Sequence, residues 1–238
     1  MLRNKRMIMT IGDSRVGKST VCKLLIDLLH SQGKSVKAYD HDNFHKLQPY
    51  SNLIAINTLD FFRSETDQVL EDLKHGQLEV ILVDMPGQYV DKICNFIDES
   101  SFFHLLNEYG WRLTFLQPIS HRLDCLKFME KIINFSKESA NYIAIKNCYF
   151  DQRFKNYHTS MQKKLYSVGG IDICLTKLHT DHYEAMERTN IPYSQIRDDT
   201  SIYILYRSYI YRWIQNFNQE LLKNQVASNY LCLSKTNF

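Results

Sequence analysis

The chain is expected to fold as an α/β protein, a mostly parallel sheet with helices on both faces in a three-layer sandwich. Three observations lead there. Short apolar runs alternate with segments of helical period along the sequence. Several of those runs are apolar at successive positions, which suits strands buried on both faces. The spacing Gly12-x-x-x-x-Gly17-Lys18-Ser19 joins the first run to the first helical segment, and a strand–loop–helix context is what a phosphate-cradling loop requires.

The elements follow in order. Residues 7–11 (MIMTI) read as a buried strand running into the glycine loop. Val21, Leu24, Leu25, Leu28 and Leu29 repeat at the spacing of one helix face, and Gly33 ends that helix. Residues 35–40 (SVKAYD) form the second strand, and residues 64–74 are expected to be helical. Residues 78–84 (LEVILVD) are a continuous apolar strand closed by an acid. A helix over 88–107 leads to a strand at 111–118, and a helix near 120–138 leads to a strand at 142–147. A sixth strand is expected at 171–175, followed by helices near 180–189 and 200–223. In a sheet of this kind ligands sit outside the carboxyl ends of the strands.

Composition is consistent with a globular chain. Of 238 residues, 44% are hydrophobic and 23% charged, and no Ser/Gly/Pro-rich linker divides them. One P-loop NTPase domain over 1–238 is therefore expected, with a frayed tail after about residue 225. The net charge of +3 does not demand a nucleic-acid partner. Six scattered cysteines without a Cys-x-x-Cys read as free thiols in a cytoplasmic protein. No apolar run approaches the roughly 20 residues needed to span a bilayer.

The glycine loop sets the first group of site residues. Gly12, Asp13, Ser14, Arg15, Val16 and Gly17 would wrap backbone N–H groups around phosphate oxygens. The start of the following helix adds partial positive charge. Lys18 would reach the β- and γ-phosphates, Ser19 would ligate Mg2+, and Thr20 would contact the α-phosphate. Asp84 ends its strand where a carboxylate can hold magnesium. Asp40 and Asp42 are two apart at the end of the second strand, so both can face one side. One would stand near magnesium, the other would orient the attacking water. Lys18, Asp40 and Asp42 are thus the expected catalytic residues, and Ser19, Asp84 and Asp40 the expected metal ligands.

Taken together, the phosphate loop, "GKSVKAYDHD" and "VILVDMPG" resemble the ParA/MinD-like ATPases of the signal-recognition and MinD (SIMIBI) class. "YIAIKNCYF" is similar to the family strand whose terminal asparagine reads adenine, which places that role on Asn147. The short TraL and StbB type of conjugal-transfer and plasmid-stability members is the most similar subgroup. The resemblance implies ATP and Mg2+ as cofactors, and a nucleotide-dependent switch in plasmid transfer, mobilisation or stability. Its candidate partners are another protein, a second copy in a homodimer, and DNA. The pattern departs at residue 13, where the family carries a lysine that reaches into a partner's ATP. Asp13 stands there instead, expected to point outward with Arg15 balancing its charge and acting in trans.

Two other readings compete. "GDSRVGKST" and "YDHDNFHK" are also similar to uridine-kinase and zeta-toxin sequences, in which an acid takes a proton from an acceptor hydroxyl. The segments 117–124 and 151–155 hold few of the lid arginines such kinases use. A slow nucleotide-binding module is the third reading. In the last helix Ile202, Leu205, Tyr206, Tyr209, Ile210, Trp213, Ile214 and Phe217 form one stripe, expected to dock on the sheet rather than stack on a nucleic acid.

Overall fold

The computed structural model describes residues 5–41, 45–59 and 66–234. Seven strands form one sheet: β1 (Lys5–Thr10), β2 (Val36–Asp40), β3 (Ala55–Thr58), β4 (Val80–Asp84), β5 (Trp111–Ile119), β6 (Asn141–Asn147) and β7 (Ile171–Leu175). Their order is β3-β2-β4-β1-β5-β6-β7, and every pairing is parallel. β1 lies at the centre, and the chain fills one side of it before crossing to the other. That crossover puts the loop after β1 at a switch point, where α/β sheets bind ligands.

Nine helices cover the faces among the described residues: α1 (Lys18–Ser31), α2 (Thr66–Leu73), α3 (Val90–Glu99), α4 (Phe102–Glu108), α5 (Leu123–Ser136), α6 (Gln162–Ser167), α7 (Thr180–Arg188), α8 (Ile204–Lys223) and α9 (Gln225–Tyr230). Alternation along the strands divides the core in two. Met7, Met9, Ile81 and Val83 face α2 to α6, while Ile8, Val80, Leu82 and Ile145 face α1 and α7 to α9. The three-layer α/β sandwich expected from the apolar runs is the architecture found.

Several elements differ from expectation. β3 is a four-residue edge strand with half-exposed side chains, so it carries no apolar run. The segment 88–107 is two helices because Ser101 adopts φ 51°, a left-handed conformation that breaks the ladder. The π-helical turn Tyr157–Met161 leads directly into α6. On α8, Ile210, Trp213, Ile214 and Phe217 are buried as expected. Leu205 and Tyr209 are 52% and 56% exposed instead, and Tyr209 stacks on His182 of α7.

The segment after residue 225 is not frayed through residue 234. It forms α9 and buries Leu231, Cys232 and Leu233. Arg6 of β1 donates to Asn229, Thr114 of β5 donates to the Tyr230 carbonyl, and Gln32 and Ser234 exchange hydrogen bonds. These contacts gather the amino ends of the strands, opposite the glycine loop.

Candidate functional site

The loop between β1 and α1 is built on two left-handed glycines, Gly12 at φ 117° and Gly17 at φ 100°. A side chain is strained at both positions by the backbone, and space is tight as well: a Cβ on Gly12 would lie 3.2 Å from Gln117, and one on Gly17 2.8 Å from the Asn147 amide. Arg15 is also left-handed at φ 59°. Between them the buried Val16 anchors the loop in the core. Lys18 opens α1 and is buried, with its Nζ donating to the Asp13 carbonyl at 2.7 Å. Burial lowers the Lys18 pKa, Asp84 opposes that shift, and Lys46 adds to it. The side chain thus lies in a dry site whose main compensating charge is Asp84.

Ser14, Arg15, Gly17, Lys18, Ser19 and Thr20 line one wall of a cavity of about 660 Å3. Lys46 and the Met85-Pro86-Gly87 segment line another wall. Tyr149, Phe150, Leu178, Tyr183 and Trp213 line it as well. The lining therefore combines cations and helix-start amides with aromatic side chains. Such a combination suits a ligand with an anionic part and a flat ring.

Asp84 lies at the carboxyl end of β4 and is 1% exposed. One carboxylate oxygen accepts the Thr10 hydroxyl at 2.8 Å, while the other has no hydrogen-bond partner. A buried carboxylate oxygen without a partner is costly, unless a ligand completes it. Among the described residues, no group of three or more His, Cys, Asp or Glu could hold an ion alone. Magnesium needs no such cage, because it is held by one or two carboxylates together with phosphate oxygens and water. The orphaned Asp84 oxygen and the Ser19 hydroxyl therefore fit that ion.

Asp40 stands directly opposite Asp84 in the sheet register. It is buried, and its carboxylate accepts the Leu47 N–H at 2.8 Å. Part of its capacity therefore ties the following loop to the strand end. His41 N–H donates to the Asp84 carbonyl at 3.2 Å, which holds the same loop against β4. Asp42, the other expected acid of this pair, lies outside the described residues.

Asp13 does not point outward. It is 2% exposed, and its carboxylate accepts the Ser14 N–H at 2.6 Å and the Gln88 amide at 3.3 Å. Its counter-charge is Arg122, at 3.0 Å, rather than Arg15. The same guanidinium nitrogen donates to the Ser14 carbonyl. Arg15 is exposed on the cavity wall. Arg122, just ahead of α5, reaches the buried Asp13 carboxylate, whereas the Arg15 side chain is exposed.

Asn147 ends β6 with its amide donating to the Val16 carbonyl at 3.0 Å and its carbonyl oxygen accepting the Tyr149 N–H at 3.2 Å. It ties the glycine loop to the end of β6 and lines the cavity. The Thr20 hydroxyl, expected to face phosphate, lies 2.7 Å from the Tyr183 hydroxyl. One turn further along α1, Lys23 pairs with Glu187 of α7 at 2.9 Å. Cys148 and Cys174, on adjacent strand ends beside the cavity, bring their sulfurs to 3.0 Å. Burial and the neighbouring sulfur push the Cys148 thiol up to about 12.

Sequence reasoning missed Arg122, Lys23, Lys46, Tyr183 and Glu187, and took Trp213 as core alone. Trp213 does pack on the core, and its indole N–H also donates to the Thr176 carbonyl at the cavity wall. Lys23 had a visible signal, one helical turn beyond Ser19 on the cavity side of α1. Arg122 and Lys46 lie in segments quoted for the kinase reading, and Tyr183 and Glu187 in the helix expected near 180–189, but no spacing marked these side chains themselves.

No protein-family model matches the chain, and no curated protein matches it. Solved structures match it in fold. The MinD cell division protein of Aquifex aeolicus superposes with a TM-score of 0.52 at 14% identity, over 89% of this chain and 97% of that one. Chloroplast FtsY from Physcomitrella patens gives 0.54 at 13% identity, over 74% and 60%. The signal recognition particle receptor FtsY from Elizabethkingia anophelis gives 0.51 at 10% identity, over 88% and 65%. The chain thus spans less than two thirds of these FtsY chains. At such identities the likeness establishes the fold alone, an α/β fold shared with MinD and FtsY.

Proposed function

We propose that the chain is a magnesium-dependent nucleotide switch of the ParA/MinD-like type, binding and hydrolysing ATP. One observation carries this reading: the orphaned, buried Asp84 oxygen beside a doubly left-handed glycine loop. A charge left open there makes sense if a hydrated cation and polyphosphate complete it. The fold shared with MinD and FtsY supports the same reading.

In this mechanism the chain's own residues bind and orient. The loop amides and the start of α1 hold the phosphates. Lys18, kept dry and close to Asp84, neutralises charge on the transferring group. Ser19 and Asp84 would hold magnesium, with Asp40 near it, and the ion when bound supplies charge neutralisation at the terminal phosphates. Asp40 or Asp42 would orient the attacking water. Asn147 and the aromatic wall take the base.

The switch is the Asp84–Gln88 segment. Gln88 N–H donates to the Gly12 carbonyl at 3.2 Å, and a Cβ on Gly87 would lie 2.3 Å from the Ser14 hydroxyl oxygen. The segment rests directly on the phosphate loop, so the presence of a γ-phosphate alters its seat. A protein, a second copy or DNA would read that change. The similarity to TraL- and StbB-type sequences makes conjugal-transfer and plasmid-stability proteins the first partners to examine.

The test is calorimetric titration with ATP and ADP with and without magnesium, then phosphate release, then light scattering in each nucleotide state. Magnesium-dependent binding is expected, and Lys18→Ala should lower turnover by about a hundredfold or more. Absence of nucleotide binding overturns the reading. Transfer of labelled γ-phosphate to an acceptor hydroxyl rather than to water replaces it with a kinase.

A further inference from the structure

We infer that Arg122, positioned by Asp13, is the arginine that stabilises the transferring phosphate from within the same chain. The inference rests on the nucleotide-hydrolysing reading above. Asp13 is a buried carboxylate inside a loop shaped for anions, where it would repel a polyphosphate. It is tolerated because Arg122 sits 3.0 Å away. The contact reaches further than charge balance. The same guanidinium nitrogen donates to the backbone carbonyl of Ser14, a residue of the cavity wall against which Gly87 of the switch segment packs. Arg122 is thereby held beside the point where the phosphate loop and switch segment meet.

An arginine is suited to this position. It stays charged, and its planar fork carries five donors, so bonds to Asp13 and Ser14 leave others to spare. Its side chain is 39% exposed, so it is not locked into the core. When ATP enters, the terminal phosphate competes with Asp13 for the guanidinium. Asp13 and Ser14 keep the group in range, and charge developing on the equatorial oxygens draws it inward. A water oxygen then bonds to the γ-phosphorus as the bond to the β–γ bridging oxygen breaks. That electron pair leaves with ADP, and the water's proton passes to inorganic phosphate. Arg122 acts as the charge-stabilising group and Asp13 as its positioning residue. A second subunit need not supply a cation.

Three measurements test this. The first is ADP affinity and steady-state kcat for wild type, Arg122→Ala, Arg122→Lys and Asp13→Asn. Arg122→Ala should lower kcat by about a hundredfold or more with ADP affinity changed less than about threefold. Arg122→Lys should recover part of the loss, and Asp13→Asn should lower kcat with Arg122 still present. The second is kcat against protein concentration, expected to be flat. The third mixes Arg122→Ala with Lys18→Ala. A cis arginine leaves the mixture inactive, because no site contains both residues.

Recovery of activity in the mixture overturns the inference in favour of a trans residue. It is also overturned if Arg122→Ala leaves kcat within about twofold, or loses affinity and melting temperature in proportion to activity, which is the mark of a structural clasp. Failure of wild type to bind ATP or ADP is a different result. It overturns the nucleotide reading itself, and it shows before any variant is made.

Discussion

Two buried carboxylates, one within the glycine loop and one at the end of β4, are treated in opposite ways. Asp13 has a cation, a backbone N–H and an amide for partners. Asp84 has one hydroxyl and an oxygen with nothing. Both are nearly inaccessible, at 2% and 1% exposure, so burial does not separate them. What separates them is completeness. A saturated acid in a loop serves the protein's own geometry, whereas an unsaturated one at a strand end keeps capacity for a further partner. The contrast also reverses what residue types alone suggest, since the acid inside the phosphate motif is the structural one.

A third buried acid serves as a reference and carries the largest expected effect. Asp27 on α1 accepts from the Ser194 N–H and hydroxyl and from the Tyr50 hydroxyl, and has no cation within its set of hydrogen bonds. Burial raises its pKa from 3.8 to about 6 despite those bonds. The sign follows from linkage. The folded state holds the proton more tightly, so the stabilisation is full below the unfolded value and is lost as pH rises through the folded one. That rise corresponds to about 3 kcal/mol lost by neutral pH. Urea unfolding of wild type and Asp27→Asn across that range should show the difference between them changing by about this amount. A constant difference would mean that hydrogen bonds alone settle a buried acid, and the contrast between Asp13 and Asp84 would need another basis.

Asp84→Asn should come next. Turnover and magnesium dependence should fall about 10- to 100-fold. The melting temperature of the nucleotide-free protein should change little, because removing a buried carboxylate with an open oxygen and leaving Lys18 without its main counter-charge oppose each other. A drop in that melting temperature would show that Asp84 stabilises the fold, as Asp13 does. Asp13→Ala is the smallest effect and the mirror image. It strands a partly exposed Arg122 and should cost about 1–2 kcal/mol in the nucleotide-free protein. Thermal melts measure it, and no change would remove Asp13 from the saturated class.

Much of the fold was legible because it rests on local pattern. β1, the glycine loop, α1 and β4 follow from apolar runs and from glycines at fixed spacing. Asp84 followed because a strand-end acid is visible as such. Its open oxygen was not, since that depends on what surrounds it. Asp13 was visible but its direction was misread: its partner Arg122 lies in the loop between β5 and α5, and no periodicity links two loop residues more than a hundred positions apart. β3 escaped because a short edge strand with half-exposed side chains has neither a continuous apolar run nor clean alternation. The stripe on α8 was half right. Its second half is buried in the core, while Leu205 and Tyr209 are exposed and Tyr209 stacks on His182 of α7.

The packed C-terminal segment has a consequence for motion. Arg6, Gln32 and Thr114 tie residues 229–234 across the amino ends of the strands. At the opposite ends the Asp84–Gln88 segment is irregular beyond β4, and its Gln88 rests on the glycine loop through hydrogen bonds to Gly12 and Asp13. Amide hydrogens at the two poles should therefore exchange with solvent at different speeds. Those of β1 beneath the C-terminal segment should open only with the whole molecule, while those of the Asp84–Gln88 segment open by themselves. Added nucleotide should slow exchange at the glycine-loop pole while leaving the tied one unchanged.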